Sequence, residues 1–305
     1  MNWGKLGLIF VPSRQRRWMR THAALPIAEN LENDIYRIYF TSRDEENRSH
    51  IGQLHLEISS PENILSVSEE SLLHPGPVGH FDCDGVLTSC VVKYEGKHFL
   101  YYTGWNRGGR DHLWYGNIGL AISEDNGTTF RKVLSSPIMG RGEFDPCLVV
   151  SPCVLIENGI WRMWYVSGFK WEERGTRLHP YYDVKYAQSK NGIDWERKGM
   201  VCIALRPGES NIARPCVIKD HGLYKMWYSY DAGQGYRIGY SESNDGLSWT
   251  RLDDEAGIDV SSTGWDSEAL AYPWVFRHGR RMYMIYNGNQ FGKDGFGLAV
   301  SMDKD

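Results

Sequence analysis

The chain has 305 residues and a formal net charge of −4, with no basic block, so nucleic acid is not an expected partner. No segment approaches the roughly 18 apolar residues that span a bilayer, and six cysteines without a Cys-x-x-Cys spacing argue against a zinc module. The 18 Tyr, 12 Trp and 10 Phe suit a fold built by packing aromatic-rich layers on one another.

From the N-terminus, Leu6 to Val11 is an apolar run. It is too short for a signal-peptide core and is followed by Arg14, Arg16 and Arg17 instead of a small-residue cleavage site. A cytoplasmic chain with free thiols is the expectation. A short extended motif then recurs as Ala24-Leu-Pro-Ile27, Thr88-Ser-Cys-Val91, Ser151-Pro-Cys-Val154, Arg214-Pro-Cys-Val217 and Tyr272-Pro-Trp-Val275. Its aligned position falls at 26, 89, 152, 215 and 273, in steps of 63, 63, 63 and 58. A period this regular means one structural unit used five times.

Each unit reads as strands. The motif is the first strand. A turn follows, and then an aromatic and β-branched run such as Phe99 to Tyr102, Arg162 to Tyr165 or Lys225 to Tyr228. The third strand carries sequences such as Ile118-Gly-Leu-Ala121 and Ile238-Gly-Tyr-Ser241. The middle repeats continue through Asn126-Gly127, Asn191-Gly192 and Asp245-Gly246 hairpins into a fourth strand, because both central residues of such a turn tolerate positive φ. Phe130, Trp195 and Trp249 follow these turns and are expected to plug the gaps between neighbouring units.

Four antiparallel strands repeated five times predict an all-β fold, a five-bladed β-propeller. The fifth repeat ends after its third strand, so the Leu6–Val11 strand is expected to complete it and close the ring. The whole chain, 1–305, is then a single domain that buries roughly 75% of its unfolded surface. Cys90, Cys153 and Cys216, one step after the motif position in three repeats, read as small buried packing residues.

Residues just before each first strand line one end of a propeller axis. Seven positions before the motif stand Asp82, Asp145 and Asp266, with Met19 and Gly208 in the other repeats. Five before it stand Asp84 and Glu268, and six before it Glu209. Asp82, Asp84, Asp145, Glu209 and Glu268 are the candidate catalytic carboxylates. Arg20, His22, Arg43, Trp105, Arg214 and Asp266 are the candidate substrate-binding residues. An Asp recurring at one register also fits a structural cap on backbone N–H groups. Paired carboxylates around an aromatic-lined funnel suit chemistry at a glycosidic bond, one as acid and one as base or nucleophile. Trp105, Trp114, Trp171, Tyr181, Tyr182 and Trp265, on or beside long loops, are candidate sugar platforms or loop packing. No metal is assigned; calcium is compatible with isolated carboxylates and His80, though no ligand spacing requires it.

With these features the chain resembles the five-bladed propeller carbohydrate-active enzymes, which include arabinanases, β-xylosidases, invertases, levansucrases and mannoside phosphorylases. The resemblance rests on the five repeats, the Ser-x-Asp-Gly-x-x-Trp hairpin and the acidic strand starts. More narrowly, Phe81-Asp-x-Asp-Gly85, Arg214-Pro-Cys-Val217, Gly264-Trp-Asp-Ser-Glu268 and Tyr286-Asn-Gly288 are similar to motifs of glycosidase-like proteins found with bacterial surface-polysaccharide genes. It implies a carbohydrate or activated-sugar substrate and a carboxylate triad. The match is partial: Leu25 precedes Pro26 where that family has an Asp-Pro, and repeat three offers Asp145 where it has a Glu. Phosphorylases of the superfamily imply instead an anion site, for which Arg20, His22, Arg43 and Arg214 are the candidates. A propeller that binds a glycan or protein without catalysis is the remaining alternative. Sialidases share the hairpin motif but need six repeats where five are counted.

Overall fold

The computed structural model describes residues 2–110, 113–175 and 177–302. Its strands pair in sequence order as antiparallel meanders. The first comprises β2 (Thr21–Glu32), β3 (Ile35–Arg43), β4 (Ser49–Glu57) and β5 (Ser60–Val67). The second comprises β6 (Gly85–Tyr94), β7 (Lys97–Arg107), β8 (Trp114–Ser123) and β9 (Arg131–Lys132). The third comprises β10 (Leu148–Glu157), β11 (Ile160–Arg174), β12 (Arg177–Ser189) and β13 (Trp195–Ile203). The fourth comprises β14 (Asn211–Asp220), β15 (Leu223–Asp231), β16 (Arg237–Ser243) and β17 (Thr250–Arg251). Then β18 (Ala271–His278), β19 (Arg281–Asn287) and β20 (Phe296–Ser301) are joined by β1 (Trp3–Phe10), which pairs antiparallel with β20 from Trp3–Ser301 to Phe10–Phe296.

The N-terminal strand starts three residues earlier than the apolar run suggested. Trp3 is the reason: it is buried, packs edge-on against Trp227 and donates its indole N–H to Ala256. The first repeat also has a fourth strand, β5, which no hairpin motif announced.

Apolar clusters fill the seams between neighbouring meanders, including the seam between the last and the first. There Phe10 lies 5.2 Å from Phe40 and 5.6 Å from Phe296, ring centre to ring centre. Full burial of each such side chain stabilises by about 1.5–3 kcal/mol. The hairpin aromatics plug the gaps as expected. Phe130 packs on Tyr39, Trp195 on Tyr101 and Trp249 on Trp164, each a second-strand ring of the preceding repeat.

Each first strand breaks register at the motif. Leu25, Ser151, Arg214 and Tyr272 take φ near +55° there, each before a proline. The bulge turns a backbone N–H out of the ladder, and the preceding repeat accepts it: Thr41 from Thr88, Thr103 from Ser151, Ser229 from Tyr272. Asn287 accepts the N–H of Leu25 at 2.8 Å, linking the fifth repeat to the first. Beside the bulge the three aligned cysteines do more than fill space. All six cysteines are free thiols, and Cys90, Cys153 and Cys216 each accept the N–H of Val154, Val217 and Val275 in the next repeat.

Candidate functional site

The repeats meet around Arg214. Its side chain is fully buried, donates to the carbonyl oxygens of Thr88 at 2.6 Å and of Pro26 and Leu25 at 3.3 and 3.4 Å, and lies 5.8 Å from the Trp274 ring. One side chain thus bridges three repeats. Burial lowers its pKa to about 10. Arg214, a substrate-binding candidate from the sequence, is thus held by backbone carbonyls, with no ion pair among the described residues.

A cavity of about 860 Å³ lies nearby, lined by Arg43, Asn47, Trp105, Arg107, Arg110 and Trp114 among others. Arg43 ends β3 and donates to Asn47 at 3.0 Å. No carboxylate pairs with it among the described residues, and burial lowers its pKa, with Tyr272 partly offsetting that. Arg107 and Arg110 are exposed and lean on Asp84 at 3.5 Å and Glu173 at 2.6 Å. Trp105 donates its indole N–H to Ser49. His22, at φ +63°, shares a hydrogen bond with Thr21, and burial, then Arg43 and Lys293, lower its pKa to about 4. It is therefore neutral at pH 7 beside two cations. Arg20 instead turns to Glu45 and the Arg14 carbonyl at the surface.

The register-matched aspartates have a common fate. Asp82 pairs with Lys132 at 2.6 Å and accepts from Tyr102; Asp145 pairs with Arg197 at 2.7 Å and accepts from Tyr165; Asp266 pairs with Lys5 at 2.7 Å and accepts from Tyr286. In each case the tyrosine comes from the second strand and the cation from the fourth. Repeat four reaches the same arrangement by another route: Asp253, past β17, takes Tyr228 and Arg251, and Glu209 grips Arg251 with both oxygens at 2.8 and 2.9 Å. Repeat one replaces the polar set with Met19 and Phe40, both fully buried. Recurring Asp therefore anchors side chains; it does not cap backbone N–H groups.

Two of the five catalytic candidates stand outside this pattern. Asp84 accepts the Arg107 N–H at 2.7 Å, close to the large cavity. Glu268 is exposed and lines a second pocket of about 300 Å³ with Asp231 and Tyr236. Sequence reasoning missed Asp231 and Asp183. Asp231 ends β15 and only caps the Gly233 N–H. Asp183, in β12, is buried with Oδ1 unpartnered. Burial chiefly, then Asp145, raises its pKa to about 6 against the pull of Lys185. The available signal was an acid at an inward register of a strand, in Tyr182-Asp-Val-Lys185. Among the platform candidates, Trp265 stacks on Tyr286, whereas Trp114, Trp171 and Tyr182 pack against the cluster of Leu148, Val150 and Val166. Among the described residues no group of three or more His, Cys, Asp or Glu is placed to hold a metal ion, and no helix is long and apolar enough to cross a membrane.

No protein-family model matches the chain. Over 301 residues it is 42% identical to the uncharacterized protein MT1551 of Mycobacterium tuberculosis, covering 98% of this chain and 99% of that one; uncharacterized protein Rv1502 of the same species matches to the same extent. Over 149 residues it is 32% identical to a 1,2-beta-oligomannan phosphorylase of Thermoanaerobacter sp., covering 45% of each chain. Among solved structures, a glycoside hydrolase superposes with a TM-score of 0.75 at 15% identity, covering 99% of this chain and 92% of that one. A thermostable family-43 glycoside hydrolase superposes at 0.65 and 17% identity, covering 97% and 92%. At that identity the likeness gives the fold: an all-β propeller of the glycoside hydrolase type.

Proposed function

The chain belongs to the family of the mycobacterial proteins MT1551 and Rv1502, and from that premise we propose a carbohydrate-active protein whose large cavity takes a saccharide bearing an anionic group. The observation that carries this reading is Arg43, a half-buried guanidinium at the cavity with no carboxylate partner among the described residues. A cation partly withdrawn from water gains from an anionic partner, and a planar guanidinium suits phosphate or carboxylate. His22, held neutral by burial and then by Arg43 and Lys293, offers a hydrogen-bonding group near Arg43. The partial match to an oligomannan phosphorylase supports chemistry at a glycosidic or sugar-phosphate bond, in bacterial polysaccharide metabolism.

In this reading the five meanders are the blades of a closed five-bladed ring, completed by β1. The Asn287–Leu25 and Phe10–Phe296 contacts support closure. Asp84, beside the large cavity, keeps an acid or base role and Glu268 lies at the smaller pocket, while Asp82, Asp145, Glu209 and Asp266 are cement between strands. A second reading, glycan binding without catalysis, is favoured by the number of carboxylates held in buried ion pairs.

Thermal shift against inorganic phosphate, hexose phosphates and neutral oligosaccharides tests the proposal. A ligand at about 100 times its Kd stabilises by about 2.7 kcal/mol. Hexose phosphates are expected to raise the melting temperature of the unmodified protein and not that of Arg43→Gln. Shifts with neutral oligosaccharides alone, equal in both, would refute the anionic substrate.

A further inference from the structure

The smaller pocket differs in chemistry from the arginine-lined cavity. About 300 Å³ in volume, it is walled by Asp231, Tyr236, Glu268, Gln290 and Phe291. Three features set it apart. First, Phe291 is 57% exposed and its ring stands edge-on to Tyr236 at 5.8 Å. An exposed aromatic ring at a pocket rim leaves one face free for stacking. Second, Gln290 and Phe291 hold φ of +53° and +58° in succession. Left-handed backbone at two adjacent non-glycine residues is strained and persists only where surrounding structure enforces it. That turn is enforced from behind: buried Asn289 receives the N–H groups of Glu268 and Ala269 and donates to Gly264. The same residue therefore fixes the backbone under Glu268 and the start of the turn that presents Phe291. Third, the carboxylates of Asp231 and Glu268 form no ion pair with any described residue, whereas Asp82, Asp145, Asp266 and Glu209 all do.

A flat aromatic ring beside two free carboxylates and an amide matches the surfaces of a pyranose. The ring's C–H face stacks on the aromatic, and vicinal hydroxyls donate to carboxylate oxygens in charge-assisted hydrogen bonds. With only two carboxylates and no metal-binding group among the described residues, a cation is the poorer fit. From this pocket Tyr272 leads toward Arg43: its ring lies 5.9 Å from Tyr236, and Arg43 and Arg214 are near enough to oppose the rise that burial imposes on its hydroxyl pKa.

We propose that this pocket is a hexopyranose subsite, with Phe291 as the stacking platform and Asp231 and Glu268 as acceptors for a vicinal diol. It rests on the anionic-saccharide reading above. One ligand then spans both regions, its neutral ring at Phe291 and its anionic group toward Arg43.

The test is calorimetry and saturation-transfer NMR with methyl hexopyranosides of mannose, glucose and galactose, the corresponding hexose 1-phosphates, and inorganic phosphate. The proteins are the unmodified chain, Phe291→Ala, Glu268→Gln and Arg43→Gln, each checked for an unchanged melting temperature. Phe291→Ala and Glu268→Gln are expected to bind the favoured hexose phosphate about tenfold more weakly, about 1.4 kcal/mol, with phosphate binding unchanged. Hexose phosphate binding that fails in Arg43→Gln but is unaltered in Phe291→Ala and Glu268→Gln overturns the subsite and leaves the cavity reading standing. Methyl hexopyranoside binding lost in Phe291→Ala, with no phosphate binding by the unmodified chain, upholds the subsite and overturns the anionic reading. No binding of any probe overturns both.

Discussion

Lys5, on the N-terminal strand, places its ammonium 2.7 Å from a buried oxygen of Asp266, 261 residues away. Lys132, Arg197 and Arg251 stand in the same relation to Asp82, Asp145 and Asp253 from the fourth strand of their repeats. β1 thus carries the cation that a fourth strand carries, as well as the pairing.

Removing that cation leaves a nearly inaccessible carboxylate uncompensated. Breaking a buried pair costs about 3–5 kcal/mol, and removing both partners costs much less. Lys5 is 24% exposed in its side chain, so solvent screening is expected to bring the cost of Lys5→Met below that range, to about 2–3 kcal/mol. Lys5→Met with Asp266→Asn is expected to recover more than half. Urea melts of the four proteins, read as a double-mutant cycle, check this; additive losses would mean that the pair does not couple.

Asp145→Asn tests whether the recurring aspartates are cement. The change leaves Arg197 and Lys185 facing a neutral amide in a site with no exposure at Asp145. A loss of about 3 kcal/mol in stability is expected, with saccharide affinity within about twofold in the fraction that remains folded. Asp84→Asn is expected to do the reverse, altering binding or turnover while stability stays within about 0.5 kcal/mol. An Asp145→Asn protein that is stable but inactive would return this residue to the catalytic set.

The strands were legible because their signals are local: a motif, an aromatic run and an Asn-Gly or Asp-Gly turn, each within a few residues. The partners of the acids were not. Lys132 is 50 residues from Asp82, and nothing near Asp82 marks it. The Asp recurring before three of the five first strands looked the same whether it faced a funnel or a fourth-strand cation. Repeat one held a clue, since Met19 at the Asp register is matched by Phe40 at the tyrosine register, an apolar substitute for the polar set. Arg214 stood out because it breaks the motif, yet its partners are backbone carbonyls, which no side-chain pattern reveals.

His22 offers a pH readout of the cavity. Its folded pKa is lowered to about 4 by burial, Arg43 and Lys293, from an ordinary value of 6.5. Above pH 6.5 it is neutral folded or unfolded and contributes nothing to the pH dependence. As pH falls from 6.5 to 4 the unfolded chain takes up a proton that the folded chain refuses, so stability falls. The group is more than a third exposed, so solvent screening holds the loss to about 1–2 kcal/mol. His22→Gln is expected to flatten that part of the pH–stability curve. Phosphate bound beside Arg43 would neutralise the repelling field, so the His22 NMR titration is expected to move upward on adding phosphate. An unmoved titration at saturating phosphate would place the anion elsewhere.

Asp183 is predicted to act in the opposite sense. Its carboxyl is raised to about 6 from 3.8, mainly by burial and then by Asp145, with Lys185 only partly compensating. Below pH 3.8 it is protonated in both states and its contribution to stability is fully present. Between 3.8 and 6 the unfolded chain gives up the proton that the folded chain keeps, so stability declines as pH rises, and the loss is complete above 6. Asp183→Asn keeps the shape, removes the buried charge and gives no titration. It is expected to match the unmodified protein near pH 3.5 and to exceed it by about 2 kcal/mol at pH 7.5. Strained, charged groups that lower stability are often retained because function uses them. Saccharide binding and turnover of Asp183→Asn therefore belong beside the melts: a gain in stability with a loss of either would add Asp183 to the functional residues. A loss of stability at pH 7.5 would mean that the carboxylate is paired in the folded protein after all.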